Sequence, residues 1–293
     1  MAHVSAGFVA QLLVYGIFLG TTYAAMAMSF GLIYSTTRTF HLAHSITYAL
    51  SAYVMVEVVT AGAPVIAGAL VGLIAAMLFG VALEYAIYKP LRVRGVKTAG
   101  IFLASLGVVL AGQAGLQIIF GPTPLAIPRV PLTSIQWGPV AVSNMQLISF
   151  GVLVVSMAAL WLFVSKSRTG HSITALRTNP ELASGVGIPV ARITGLVFAL
   201  GSVMAAEVAF FDAGVYQANP TMGLAPVLFG FVGVFLGGVG SLFGSALGGF
   251  ILGFVTVMSG LFAAQGLGII ISFLVMIAVL IFKPEGLIGQ PSS

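Results

Sequence analysis

Long apolar stretches separated by short polar connections set the pattern of this chain. The first covers about 8–34 and carries Gly16 and Gly20 at the GxxxG spacing that lets helices approach closely. The second, about 39–59, is less apolar, with His41, His44, Ser45, Thr47, Tyr48 and Ser51 crowded into its first half. Such a segment is expected to lie against other helices, or to be partly unwound along a cavity, because polar groups at membrane depth must be satisfied internally. The third covers about 65–88 and closes on a basic loop through Lys97; the fourth covers about 98–120. A Pro-rich connection, about 121–144, reads as an ordered external loop. Five more stretches come after it, at about 145–165, 193–213, 224–236, 242–262 and 267–282. Since about 20 apolar residues are needed to cross a bilayer, the stretch at 224–236 is short and reads as re-entrant or tilted. The pattern predicts an all-α, polytopic membrane protein with eight or nine transmembrane helices, some of them broken or re-entrant, in one domain over residues 1–293.

One polar stretch stands apart. Residues 166–192 form the longest run resembling soluble protein and hold four of the eleven basic residues. Within it, Asn179-Pro180-Glu181 reads as a helix start: Asn caps, Pro fits the first helical position, and an acid favours the first turn. Gly185 or Gly187 can end that helix, and Pro189 stops it from resuming.

Composition strengthens the membrane reading. Only 6% of residues are charged and 59% are hydrophobic, against roughly 25% charged in an ordinary soluble domain. With no cysteine, disulfides and thiolate metal sites are excluded. Charge then sets orientation. With the N-terminus outside and the C-terminus in the cytoplasm, every Lys and Arg except Arg129 lies on the cytoplasmic side, as the positive-inside rule requires. The net charge of +5 therefore reads as membrane orientation, not nucleic-acid binding. The N-terminus lacks the basic region and cleavage site of a signal peptide, so its apolar stretch reads as a retained span. The glycines at four-residue spacing from Gly233 to Gly253 argue for tight helix contact or for backbone breaks lining a pathway.

Acids inside hydrocarbon are costly and mark candidate function. Glu207 and Asp212 both lie in the sixth stretch. Glu207 is placed roughly 20 Å from the cytoplasmic end, to line a pathway, to bond a neighbouring helix as a protonated acid, or to pair with a partner subunit; Asp212 is placed close to the outer surface, as a carboxylate in water. Five residues apart, they do not form one carboxylate pair. His41 and His44, three apart, would share a helix face and line a cavity or pack; no further ligands accompany them, so a metal site is not expected. Glu84 is expected to pair with Lys89 or Arg92. No catalytic constellation appears: no Lys follows Gly, so there is no Walker A loop, and there is no GxSxG or HExxH. The chain reads as no enzyme, with no cofactor of its own.

Several segments together resemble a known family. GTTYAAMAMSFGLIYSTTRTFHLAHSITYALSAYV resembles the N-terminal signature of LivH/LivM-type permeases, the membrane subunits of branched-chain amino acid ABC importers, with the LivH side closer. LEYAIYKPLR, SRTGHSITALRTNPELASGVGIPVARITGLVFALG, NPTMG, GGVGSLFGSALGGFILG and FKPEGLIG continue the resemblance in order along the chain. It implies a multi-pass subunit of the bacterial inner membrane. Its partners would be a second, homologous permease in a heterodimer, two cytoplasmic ATPases and a periplasmic binding protein. It places coupling to the ATPase on Ala175, Arg177, Asn179, Pro180, Glu181, Ala183 and Gly187. It makes His41, His44, Ser45 and Glu207 candidates for the translocation pathway. The family reads AHGE where this chain has Ala43-His44-Ser45-Ile46, and has small residues in place of Glu207. The solute class implied is branched-chain or other apolar amino acids, or a related small organic solute. An ion-coupled secondary transporter and a passive channel are the alternatives from other classes.

Overall fold

The computed structural model describes residues 5–128, 130, 133–262 and 267–289. Its helices are α1 (Ala6–Thr37), α2 (His44–Thr60), α3 (Val65–Leu83), a π-helical turn (Glu84–Tyr88) leading into α4 (Lys89–Val93), and α5 (Thr98–Phe120). A short hairpin of β1 (Ser134–Trp137) and β2 (Val140–Ser143) comes next. Then come α6 (Asn144–Lys166), α7 (Arg168–Thr178), α8 (Pro180–Gly185), α9 (Val190–Tyr216), α10 (Leu224–Gly237), α11 (Leu242–Met258) and α12 (Leu267–Phe282). Among the described residues, six helices are long and apolar enough to cross a membrane, and α10 and α12 are shorter apolar helices. At 14 residues, α10 is about 21 Å long, less than the ~30 Å hydrocarbon core. The protein is a polytopic helical membrane protein. The expected lone basic residue of the external loop, Arg129, lies outside the described residues.

The contacts divide the chain into two compact units. The first holds the described residues within Met1–Gly31, Pro131–Val155 and Phe229–Ser293; the second holds those within Leu32–Val130 and Ser156–Leu228.

In the first unit the clustered glycines serve backbone contact. A Cβ on Gly253 of α11 would stand 2.7 Å from the Leu19 carbonyl oxygen of α1, and one on Gly20 would stand 2.9 Å from the Phe250 oxygen. Tyr23 stacks on Phe229, with ring centroids 4.4 Å apart, over a cluster that includes Val232, Leu236 and Leu252. Of the two readings of the glycine series, close helix packing describes these positions. Gly253→Val should therefore lower stability by about 1–3 kcal/mol through overpacking, read as a fall in the unfolding midpoint of the detergent-purified protein. The hairpin packs in this unit through Gln11, whose side chain donates to the Ala141 oxygen and accepts from the Ala141 N–H.

The second unit is built around α2, which packs against α3, α5 and α9. Ala49, Ala52, Tyr53 and Met55 are fully buried, as a helix too polar for lipid requires. Gly72 of α3 closes that contact: a Cβ there would meet the Ser51 carbonyl oxygen at 2.9 Å. Before α2 the chain is not helical between Arg38 and His41, and Arg38 takes a positive φ of 52°. The second stretch is thus both enclosed by helices and unwound at its start. Three basic connections meet at one end of this unit. Arg92 donates to Thr39 Oγ1 at 3.0 Å, and Tyr85 Oη donates to the Ala191 oxygen at 2.8 Å at the start of α9.

Candidate functional site

The polar residues of the second unit form two groups. One surrounds the break before α2. His41 was expected on one helix face with His44; it instead precedes the helix, because the chain leaves α1 through Arg38 and enters α2 through a turn. Ser105 of α5 stabilises that turn by accepting from the Ala43 N–H at 2.8 Å. Tyr88 Oη, also fully buried, donates to Ser105 Oγ at 2.9 Å and lies 2.8 Å from His41 Nδ1. With the phenol proton directed at Ser105, Nδ1 is the donor to Tyr88, and Nε2 of His41 is left an acceptor. Among the described residues that buried Nε2 has no hydrogen-bond partner. The His41 ring sits 5.0 Å from those of His44 and Phe198. Beneath it, buried Glu84 pairs with Arg92, and Lys89 lies over the Tyr85 ring. Of the two expected partners, Arg92 holds the carboxylate.

The second group runs along α2 and α9. Ser45 spends its hydroxyl on the Leu42 oxygen at 2.9 Å, and Gly223 packs on its backbone. Thr47 and Tyr53 are buried, with side-chain oxygens that have no partner among the described residues. Tyr48, fully buried, hydrogen-bonds Asp212. Asp212 is therefore not the free aqueous carboxylate expected: a buried phenol needs an acceptor, and this half-buried acid supplies one. Glu207 is half-buried on the same helix, near Ser156 of α6, with its Oε2 without a partner among the described residues. These are hydrogen-bonding groups, and no three His, Cys, Asp or Glu among the described residues could hold a metal. What the arrangement can do is hold and release helices, or meet a small polar solute.

The polar connection between α6 and α9 contains two helices, where one was expected. Ser167 caps α7 by accepting from the Gly170 N–H at 2.9 Å, and Ile173 and Leu176 are buried. Asn179 caps α8 as expected, accepting from the Leu182 N–H at 3.0 Å with Pro180 next. Gly187 ends it at a positive φ of 83°, and the Ile188 N–H returns to the Ala183 oxygen at 3.0 Å. Glu181 is exposed, Ala175 and Arg177 are half-buried, and Ala183 turns inward. Burial, and then the nearby charge of Arg38, push the Arg177 guanidinium below its ordinary pKa. The exposed apolar residues of this connection are Leu182, 66% exposed, and Val186, 77% exposed. Sequence reasoning missed them, along with Tyr88 and Ser105. The one visible signal was a phenol and a hydroxyl standing in otherwise apolar spans.

Comparison with known proteins agrees with this architecture. The chain is 28% identical over 293 residues to the high-affinity branched-chain amino acid transport system permease protein LivH of Salmonella typhimurium, covering 94% of each chain. It is 27% identical over 296 residues to the corresponding permease protein BraD of Pseudomonas aeruginosa, covering 96% of each. Its fold is similar to that of PsaBC from Streptococcus pneumoniae, solved in complex with Fab, at a TM-score of 0.51 and 14% identity over 95% of this chain and 92% of that one. The model of a family described as the permease component of branched-chain amino acid transport systems matches residues 12–280. With the apolar helices, the enclosed α2 and the glycine-packed α11, that match places the chain in the branched-chain amino acid transport permease family.

Proposed function

We propose that this chain is the membrane-spanning permease subunit of an ATP-driven importer for branched-chain or other apolar amino acids. The observation that carries this reading is the family match over residues 12–280, joined by two relatives whose names specify branched-chain amino acid transport. The subunit works in the bacterial inner membrane beside a second, homologous permease. Two cytoplasmic ATPases supply the energy and a periplasmic binding protein delivers the solute. The N-terminus lies outside and the C-terminus in the cytoplasm, which puts Arg38, the 89–97 loop and the 166–192 connection on the ATPase side.

Coupling runs through α7 and α8. A short helix fixed by a side-chain cap at one end and a glycine turn at the other moves as a rigid body, whereas a loop would absorb the motion. The exposed Leu182 and Val186 supply the apolar contact, flanked by Glu181 and the cap Asn179. His41, His44, Ser45 and Glu207 stand near the solute's route.

The test is reconstitution. Proteoliposomes carrying this chain, a partner permease, the ATPases and a binding protein should accumulate radiolabelled L-leucine only with ATP inside the coupled compartment. Uptake that persists without ATP would sink the importer reading and favour an ion-coupled carrier or a channel.

A further inference from the structure

We infer that the π-helical turn Glu84–Tyr88 is the positioning element that joins the cytoplasmic end of α9 to the break before α2. This rests on the importer reading, and names the residues inside the permease that carry its motion.

The side chains of the turn point to three different neighbours. Tyr85 reaches α9, donating to the Ala191 oxygen at 2.8 Å and lying against Gly195, where a Cβ would meet the phenol oxygen at 2.6 Å. Glu84 holds Arg92 of α4, which in turn donates to Thr39 in the break. Tyr88 contacts His41 and Ser105, and Ser105 holds the Ala43 N–H at the entrance to α2. Glu84, Tyr88, Thr39, His41 and Ser105 are all buried, so no water replaces the contacts among Tyr88, His41 and Ser105. The π geometry makes this three-way contact possible. A π turn carries one residue more than an α turn, and so rotates the succeeding segment by about 100° relative to a continuous α-helix. Rewinding it as α-helix would swing Arg92 away from Thr39, or Tyr85 away from Ala191. In this proposal the π and α windings are the two arrangements of the turn, which is what transmission between packed elements requires.

The consequence is directional. Ala191 is the second residue of α9, directly after the connection that holds α7 and α8. A shift of that connection moves the carbonyl that Tyr85 holds. The turn passes the shift to Thr39 and His41 through Arg92 and Tyr88, and the unwound entry to α2 responds. The polar face of α2, from Ser45 to Tyr48, lies immediately after the break.

Tyr88→Phe tests this, because it keeps the ring and removes the one oxygen that joins His41 to Ser105. The readout is ATP hydrolysed per L-leucine imported in the reconstituted complex. A second readout is the maleimide labelling rate of Leu42→Cys, with and without vanadate-trapped ATP. This chain has no native cysteine, so with cysteine-free partners that thiol is the sole target. Losing one buried hydrogen bond shifts a two-state equilibrium by about tenfold. The ATP consumed per leucine should rise by that order, and the labelling rate should stop responding to the trapped nucleotide. An unchanged ratio together with an unchanged labelling response would overturn the proposal. If Tyr88→Phe does not assemble, Ser105→Ala is the second variant, and failure of both to assemble assigns these residues to folding and overturns it equally. Leucine uptake without ATP in the unaltered complex overturns the importer reading instead, and is seen before any variant is made.

Discussion

Arg92→Met is expected to destabilise the protein by about 3 kcal/mol, the lower end of the loss seen when one partner of a buried ion pair is removed. Glu84 is 0% exposed, and its charge has Arg92 as its ion-pair partner among the described residues. Methionine fills the volume of the arginine stem but leaves a carboxylate inside the protein. The lower end applies because the Arg92 side chain is itself 27% exposed, so water can reach the vacated end of the pair. Thr39 loses its guanidinium donor in the same change, which loosens the break before α2 as well as α4. The double variant Glu84→Gln with Arg92→Met should recover most of the stability, since replacing both charges removes the uncompensated one. Unfolding midpoints of the two variants in one detergent check this. Equal losses in the single and double variants would show that the cost comes from packing or from Thr39, not from the stranded carboxylate.

The helices were legible in the sequence to a useful degree, and the breaks were not. The fourth stretch matches α5 at both ends, Thr98 to Phe120, and the ninth matches α12, because uninterrupted apolar runs bounded by polar residues leave little choice. The cap at Asn179-Pro180 was equally plain, since Asn before Pro satisfies a free N–H and presets the first helical angle. α7 was hidden because RTGHSITALRT offers only Ile173 and Leu176 as buried apolar positions in a run of hydroxyls and basic residues. It is capped by Ser167, and Gly170 lets it fold back closely on the Phe163 and Val164 carbonyls at the end of α6, neither of which periodicity reports. The unwound entry to α2 was anticipated as one of two options, but three-residue spacing still put His41 on the helix. What displaces it is a positive φ at Arg38 and a hydroxyl from Ser105, 62 positions beyond Ala43 along the chain. The π turn has no local mark either, because LEYAIYKPLR reads as ordinary helix until Tyr85 and Tyr88 are seen to face different partners. Asp212 was misjudged for a related reason. Its depth was estimated along its own helix, whereas its state is set by Tyr48 on another.

Alanine at both Leu182 and Val186 is expected to weaken binding of the cytoplasmic ATPase by about 100-fold while leaving the permease as stable as before. The two side chains are four apart and share a face of α8 and its C-terminal turn. Both stand in solvent, so their loss costs the isolated chain little; exposed substitutions usually stay within about 0.5 kcal/mol. A docked surface behaves differently. Apolar anchors at the centre of an interface cost about 2 kcal/mol or more when truncated, and about 2.7 kcal/mol corresponds to 100-fold in affinity. Ala183 supplies the contrast. It is a neighbour on the same helix but only 3% exposed, so enlarging it to leucine should lower stability first and affinity only through loss of the fold. Titrating purified ATPase subunits against the permease complex, with unfolding midpoints measured in parallel, separates the two effects. Full ATPase affinity in the double-alanine variant would remove α8 as the docking element, and would leave the more polar α7, with Arg177 in its last turn, as the part of the connection able to meet the ATPase.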